Sequence, residues 1–87
     1  MEPLVMFYGT ECPHCHRMTP LIDRLEREMG VKVARKEVWH NEENFRIMEN
    51  ADKKRCSGVP FFYNAKTDAW LCGEVPYEEL TAWAAHS

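Results

Sequence analysis

Apolar positions recur with two different periods along this chain. Residues 4–8, Leu4-Val5-Met6-Phe7-Tyr8, are continuously apolar, the pattern of a strand covered on both faces. From Pro13 to Met29 the period changes. Met18, Leu21, Ile22, Leu25 and Met29 recur in helical steps, while Arg17, Asp23, Arg24, Glu26, Arg27 and Glu28 fill the opposite face. Pro13 suits the first turn of that helix and Gly30 its C-terminal cap. Val31 to Trp39 reads as a second strand, and Lys32, Arg35 and Lys36 place it at a sheet edge. Asn41 is positioned to cap a helix running to about Asp52, with Glu42 and Glu43 in its first turn and Phe45 and Met48 facing inward. Lys53 to Gly58 reads as a loop. Pro60–Asn64 and Ala69–Gly73 read as strands of a hairpin turning through Ala65-Lys66-Thr67-Asp68. A last helix starts near Tyr77, turns Leu80, Trp83 and Ala84 inward, and carries His86 near its C-terminal end, where a cation favours the dipole.

The order strand, helix, strand, helix, strand, strand, helix predicts an α/β fold. A right-handed crossover makes the first two strands parallel, and the hairpin forces an antiparallel one. The expectation is one domain over residues 1–87, a four-stranded mixed sheet with helices on both faces. Trp39, Trp70 and Trp83 are read as core or partly buried aromatics. Composition adds limits. With 87 residues, 45% hydrophobic content and a formal charge of −3, the chain has neither the basic footprint of a nucleic-acid binder nor an apolar run of membrane-spanning length. Met1-Glu2-Pro3 shows no secretory pattern, so the chain is read as cytoplasmic, and as a monomer.

The chemistry concentrates at Cys12-Pro13-His14-Cys15, at the turn between the first strand and the first helix. Thiols at this spacing can close a disulfide. The first sits where unpaired N–H groups and the positive end of the helix stabilise a thiolate. This predicts thiol–disulfide exchange, with Cys12 the exposed nucleophile and Cys15, nearly a turn on, the buried resolving thiol. His14, and Pro13 beside it, are assigned to tuning the acidity of Cys12. No cofactor is expected beyond a redox-active Cys12–Cys15 disulfide. Two rival readings use the same residues. Cys12-x-x-Cys15-His16 is the attachment string of c-type haem, set aside because no export pattern is visible and the core is too small. A zinc or iron–sulfur site could draw on Cys12, Cys15, His14, His16, Cys56 or Cys72, but the spacing fits no common zinc pattern, and no metal is expected. Cys56 and Cys72 are expected to stay reduced rather than form a structural disulfide, as a cytosolic setting favours, with a second redox pair as the alternative.

The element order with a dithiol after strand one resembles the minimal thioredoxin fold shared by thioredoxins and glutaredoxins. Pro20 matches a proline within the first helix of thioredoxins. Gly58-Val59-Pro60 resembles their segment with a cis-proline facing the dithiol, and Gly73 matches a glycine ending the last strand. The resemblance implies that Val59, Pro60 and Gly73 line the substrate groove. It also implies partners that are protein disulfides or dithiols, together with glutathione or a reductase. The chain departs from the pattern at three places. Glu11 stands where thioredoxins carry Trp, Met6 replaces their buried acid, and Cys72-Gly73-Glu74 replaces the paired glycines of glutaredoxins. Pro-His between the cysteines resembles the periplasmic disulfide oxidases.

Overall fold

The structure is a computed structural model, and it describes residues 3–85. The readings of Met1-Glu2 and His86 lie outside the described residues. Seven elements follow in order: β1 (Leu4–Tyr8), α1 (Pro13–Met29), β2 (Val33–Glu37), α2 (Glu42–Asp52), β3 (Phe61–Asn64), β4 (Ala69–Cys72) and α3 (Tyr77–Ala84). The sheet runs β2-β1-β3-β4, with β1 and β2 parallel and the other pairs antiparallel. This is the mixed four-stranded sheet that the apolar pattern predicts. β1 is central because its residues face apolar side chains on both sides.

Alternation along β1 divides the core. Leu4 and Met6 point to one face, where they join Met18, Ile22 and Leu25 of α1 and Leu80 and Trp83 of α3. Val5 and Phe7 point to the other, with Phe61 and Met48 of α2. Phe7 and Phe61 stack with centroids 5.8 Å apart. Phe62 meets Trp83 edge to face at 5.7 Å. The buried Asn64 is satisfied: its Nδ2 donates to the Trp83 carbonyl and its Oδ1 accepts from the Lys66 N–H.

The helix ends follow local chemistry. Gly30 adopts the left-handed conformation (φ 65°) and its N–H returns to the Glu26 carbonyl. Asn41 caps α2 by accepting the Asn44 N–H at 2.9 Å. Two expectations change. The second strand is shorter than Val31–Trp39, because the Glu37 carboxylate accepts the backbone N–H groups of Trp39 and His40 and turns the chain there. Phe45, expected to face inward, is exposed in the first turn of α2, where it borders an open groove. Trp39, read as a core or partly buried aromatic, is only partly buried, with half of it exposed.

Candidate functional site

The dithiol occupies the junction that the sequence assigns to it. Cys12 is the N-cap of α1, Pro13 its first residue, and the Cys12 Sγ accepts the Cys15 N–H at 3.3 Å. The sulfur thus takes the place of the oxygen that usually caps a helix. Both cysteines are free thiols. Across from them the Val59–Pro60 peptide bond is cis, and the Val59 carbonyl oxygen lies 4.0 Å from the Cys12 Sγ. Gly73 (φ 81°) donates its N–H to the Pro60 carbonyl at 2.8 Å, so the end of β4 is fastened to the same turn. Glycine suits this position because a side chain would be strained at that φ. Cys12, Cys15, Val59, Pro60 and Gly73 are therefore gathered at one end of the sheet.

One expectation about the dithiol is overturned. The helix-start position predicts an exposed Cys12, yet only 2% of it is accessible, the same as Cys15. Its side chain turns inward to cap the helix and lies under the Val59 carbonyl, so a helix-start position does not by itself leave it open. Burial, followed by the hydrogen bond with Cys12, pushes the Cys15 thiol up to about 12. A cleft of about 190 Å³ lined by Met6, Tyr8, His16, Thr19 and Arg35 reaches Cys15. The raised value has a consequence for stability. In the unfolded chain the thiol ionises near the ordinary value of 9.0, whereas the folded protein holds the proton to about 12. Unfolding therefore releases a proton between these limits, and the reduced protein is expected to lose stability as pH rises from about 9. Thermal unfolding at pH 8 and pH 10 checks this: the fall should be steeper in wild type than in Cys15→Ala, and equal falls would refute it.

His14 is two residues after Cys12 and directly before Cys15 in sequence, but its ring is engaged elsewhere. Nδ1 lies 3.1 Å from the Glu74 carboxylate, which also accepts from Arg17 at 2.6 Å. The hydrogen bonds from Arg17, and then from His14, hold the Glu74 carboxyl below its usual range. Glu74 follows Gly73, so these exposed pairs tie the start of α1 to the end of β4. Among the described residues no hydrogen bond joins His14 to Cys12. His16 is bound through Nε2 to the Thr10 carbonyl at 2.6 Å.

The structure also corrects the reading of Cys56 and Cys72. They form a disulfide, with Cα atoms 5.5 Å apart. Cys72 is the last residue of β4, opposite Phe61, and Cys56 lies in the loop just ahead of Val59-Pro60. The chain path brings them within bonding range, a proximity that 16 residues of separation do not reveal. As a disulfide they offer no thiolate to a metal, which removes Cys56 and Cys72 from the ligands that reading could draw on. Among the described residues, one group of three metal-ligating side chains comes together, Glu11, Glu37 and His40, and it contains neither cysteine of the dithiol.

Sequence reasoning missed three participants. Glu37 accepts the Thr10 N–H at 3.0 Å as well as those of Trp39 and His40, so it joins the loop before the dithiol to the loop after β2. Trp39 lies against Gly9, where any side chain would collide with the indole. Asp52, buried at the end of α2, accepts the N–H groups of Cys56 and Ser57 at 2.6 and 2.7 Å. The signal for Asp52 was an acid placed one helix turn before a cysteine in a turn-rich loop. A groove of about 450 Å³, lined by Trp39, Phe45 and Met48 and reaching Val59, opens beside that loop.

The fold and the dithiol define a small thioredoxin-like α/β domain. Among solved structures, the chain is similar to a glutaredoxin from Archaeoglobus fulgidus, with a TM-score of 0.70 and 22% sequence identity over 95% of this chain and 86% of that one. At that identity the similarity establishes the fold. No protein-family model matches the sequence, and no curated protein matches it.

Proposed function

We propose that this protein is a thiol–disulfide oxidoreductase working through Cys12 and Cys15. The observation that carries the reading is the pair of free thiols at the start of α1, with the Cys12 Sγ held between the Cys15 N–H and the Val59 carbonyl beside a cis-proline. Cys12 attacks a substrate disulfide as thiolate. One substrate sulfur leaves as a thiol and a mixed disulfide forms. Cys15 then attacks the Cys12 sulfur, releasing the second substrate thiol and closing Cys12–Cys15. Two electrons pass to the substrate, and an external thiol, glutathione or a reductase, returns them. Val59, Pro60 and Gly73 present backbone to an extended substrate segment. Pro13 and His14, in the first turn between the two sulfurs, adjust the reactivity of Cys12. The substrates are protein disulfides and dithiols, and the protein acts as a monomer with no further cofactor. Among the described residues no helix is long and apolar enough to cross a membrane.

The test is to equilibrate the protein with mixtures of reduced and oxidised glutathione and map the products by alkylation and mass spectrometry. A disulfide joining Cys12 to Cys15 should form reversibly, and its midpoint gives the reduction potential. Persistence of both thiols in excess oxidised glutathione would exclude the reading.

A further inference from the structure

The Cys56–Cys72 disulfide sits differently from a buried staple. Cys72 is exposed at the end of β4, and Cys56 is only partly covered. The bond fastens the loop that leads into Val59-Pro60, the segment lying over Cys12. That loop is strained: Lys53, Lys54 and Ser57 all adopt left-handed conformations (φ 52°, 63° and 59°) without being glycine. Besides the disulfide, its hold includes the Asp52 carboxylate, which accepts two of its N–H groups, and the Arg55 side chain, which donates to the carbonyls of Ala51 and Asp52. An exposed disulfide closing a strained loop is accessible to attack, and its opening lets the loop relax. The two redox pairs also face opposite sides of the sheet. Cys12 and Cys15 pack with the α1 core, and Cys56 packs with the α2 core. With Cys72 exposed and Cys56 only partly covered, the second pair is open to thiols in solvent.

We infer that Cys56–Cys72 is a second thiol-exchange site, opened by a small-molecule thiol of the glutathione class, and that its state sets how tightly the Val59–Pro60 segment covers Cys12. The thiolate attacks the Cys72 Sγ, the bond to Cys56 breaks, and Cys56 leaves as a thiolate that takes up a proton. A second small thiolate then attacks the small-thiol sulfur of that mixed disulfide, and Cys72 leaves as a thiolate that takes up a proton. The net change is two small thiols oxidised to their disulfide and one protein disulfide reduced to two thiols. In a compartment rich in reduced thiols, this makes the pair responsive rather than permanent. The role of the site rests on the reading of Cys12–Cys15 as the working dithiol, but its test does not require activity.

The test has two arms. In Cys12→Ser, which removes exchange through the protein's own dithiol, the Cys56–Cys72 pair is titrated with reduced and oxidised glutathione and scored by alkylation. It is expected to open while far-UV circular dichroism stays native. Opening only in denaturant would identify a structural staple and overturn the inference. In the second arm, Cys56→Ser/Cys72→Ser stands in for the open state. Alkylation of Cys12 by iodoacetamide should be faster than in wild type, on the order of tenfold, with faster amide exchange confined to residues 53–60. An unchanged Cys12 rate would overturn the inference. So would a parallel rise in exchange across β1, which would mean that the bond supports the whole fold. Failure of the function proposed above would show instead as a dithiol that never oxidises, with the Cys56–Cys72 titration still readable.

Discussion

Replacing Cys12 with Ser is expected to lower the rate of thiol–disulfide exchange by at least about 10³-fold, because residues acting as one unit fail together. Cys15→Ser should instead stop the reaction one step later and accumulate a mixed disulfide on Cys12. The asymmetry follows from the surroundings of the two sulfurs. Cys15 is buried, and burial together with the hydrogen bond to Cys12 pushes its thiol up to about 12, so it keeps its proton at pH 7. Cys12 caps α1 and lies nearer the approach to the substrate segment, with the Cys15 N–H directed at its sulfur. Its 2% exposure adds a condition: the Val59 segment must shift before a substrate sulfur can reach it. Trapping with a labelled substrate, followed by peptide mapping, separates the roles. Mixed disulfides that accumulate on Cys15 in the Cys12→Ser variant would reverse them.

The second large effect concerns stability rather than chemistry. Asp52→Ala is expected to cost about 2–4 kcal/mol, since two backbone N–H groups lose a charged acceptor inside the fold. That corresponds to a fall in Tm of roughly 10–20 °C for a domain of this size. Asp52→Asn keeps one carbonyl acceptor and should cost less. The damage should be concentrated in residues 53–58, where the carboxylate holds the Cys56 and Ser57 N–H groups beside three left-handed residues, Lys53, Lys54 and Ser57. Urea unfolding gives the free energy, and a change below about 0.5 kcal/mol in Asp52→Ala would show that the loop holds itself. Because Val59 lies over Cys12, exchange activity should fall with the loop.

Much of the molecule was legible before its structure. The continuous apolar run of β1 marked a central strand, because only a strand covered on both faces has no use for a polar position. The helical steps of Met18, Ile22 and Leu25 identified the buried face of α1, and Pro13 and Gly30 marked its ends. The lysine and arginine of β2 marked an edge, and it is one. All of these are local relations, in which a residue's place follows from neighbours one to four positions away.

Other features depended on how distant segments meet. Nothing near Cys56 or Cys72 encodes their pairing, which follows from a loop with three left-handed residues delivering one sulfur to the end of β4. Cys12 is buried because a turn 47 residues away lies over it. His14 faces Glu74 because β4 ends beside the start of α1. Periodicity tells a residue which face of its own element it occupies. What lies opposite that face is set by chain reversal and sheet order, and so the chemistry of the dithiol was readable from the sequence while its cover, its partners and its second disulfide were decided by the tertiary structure.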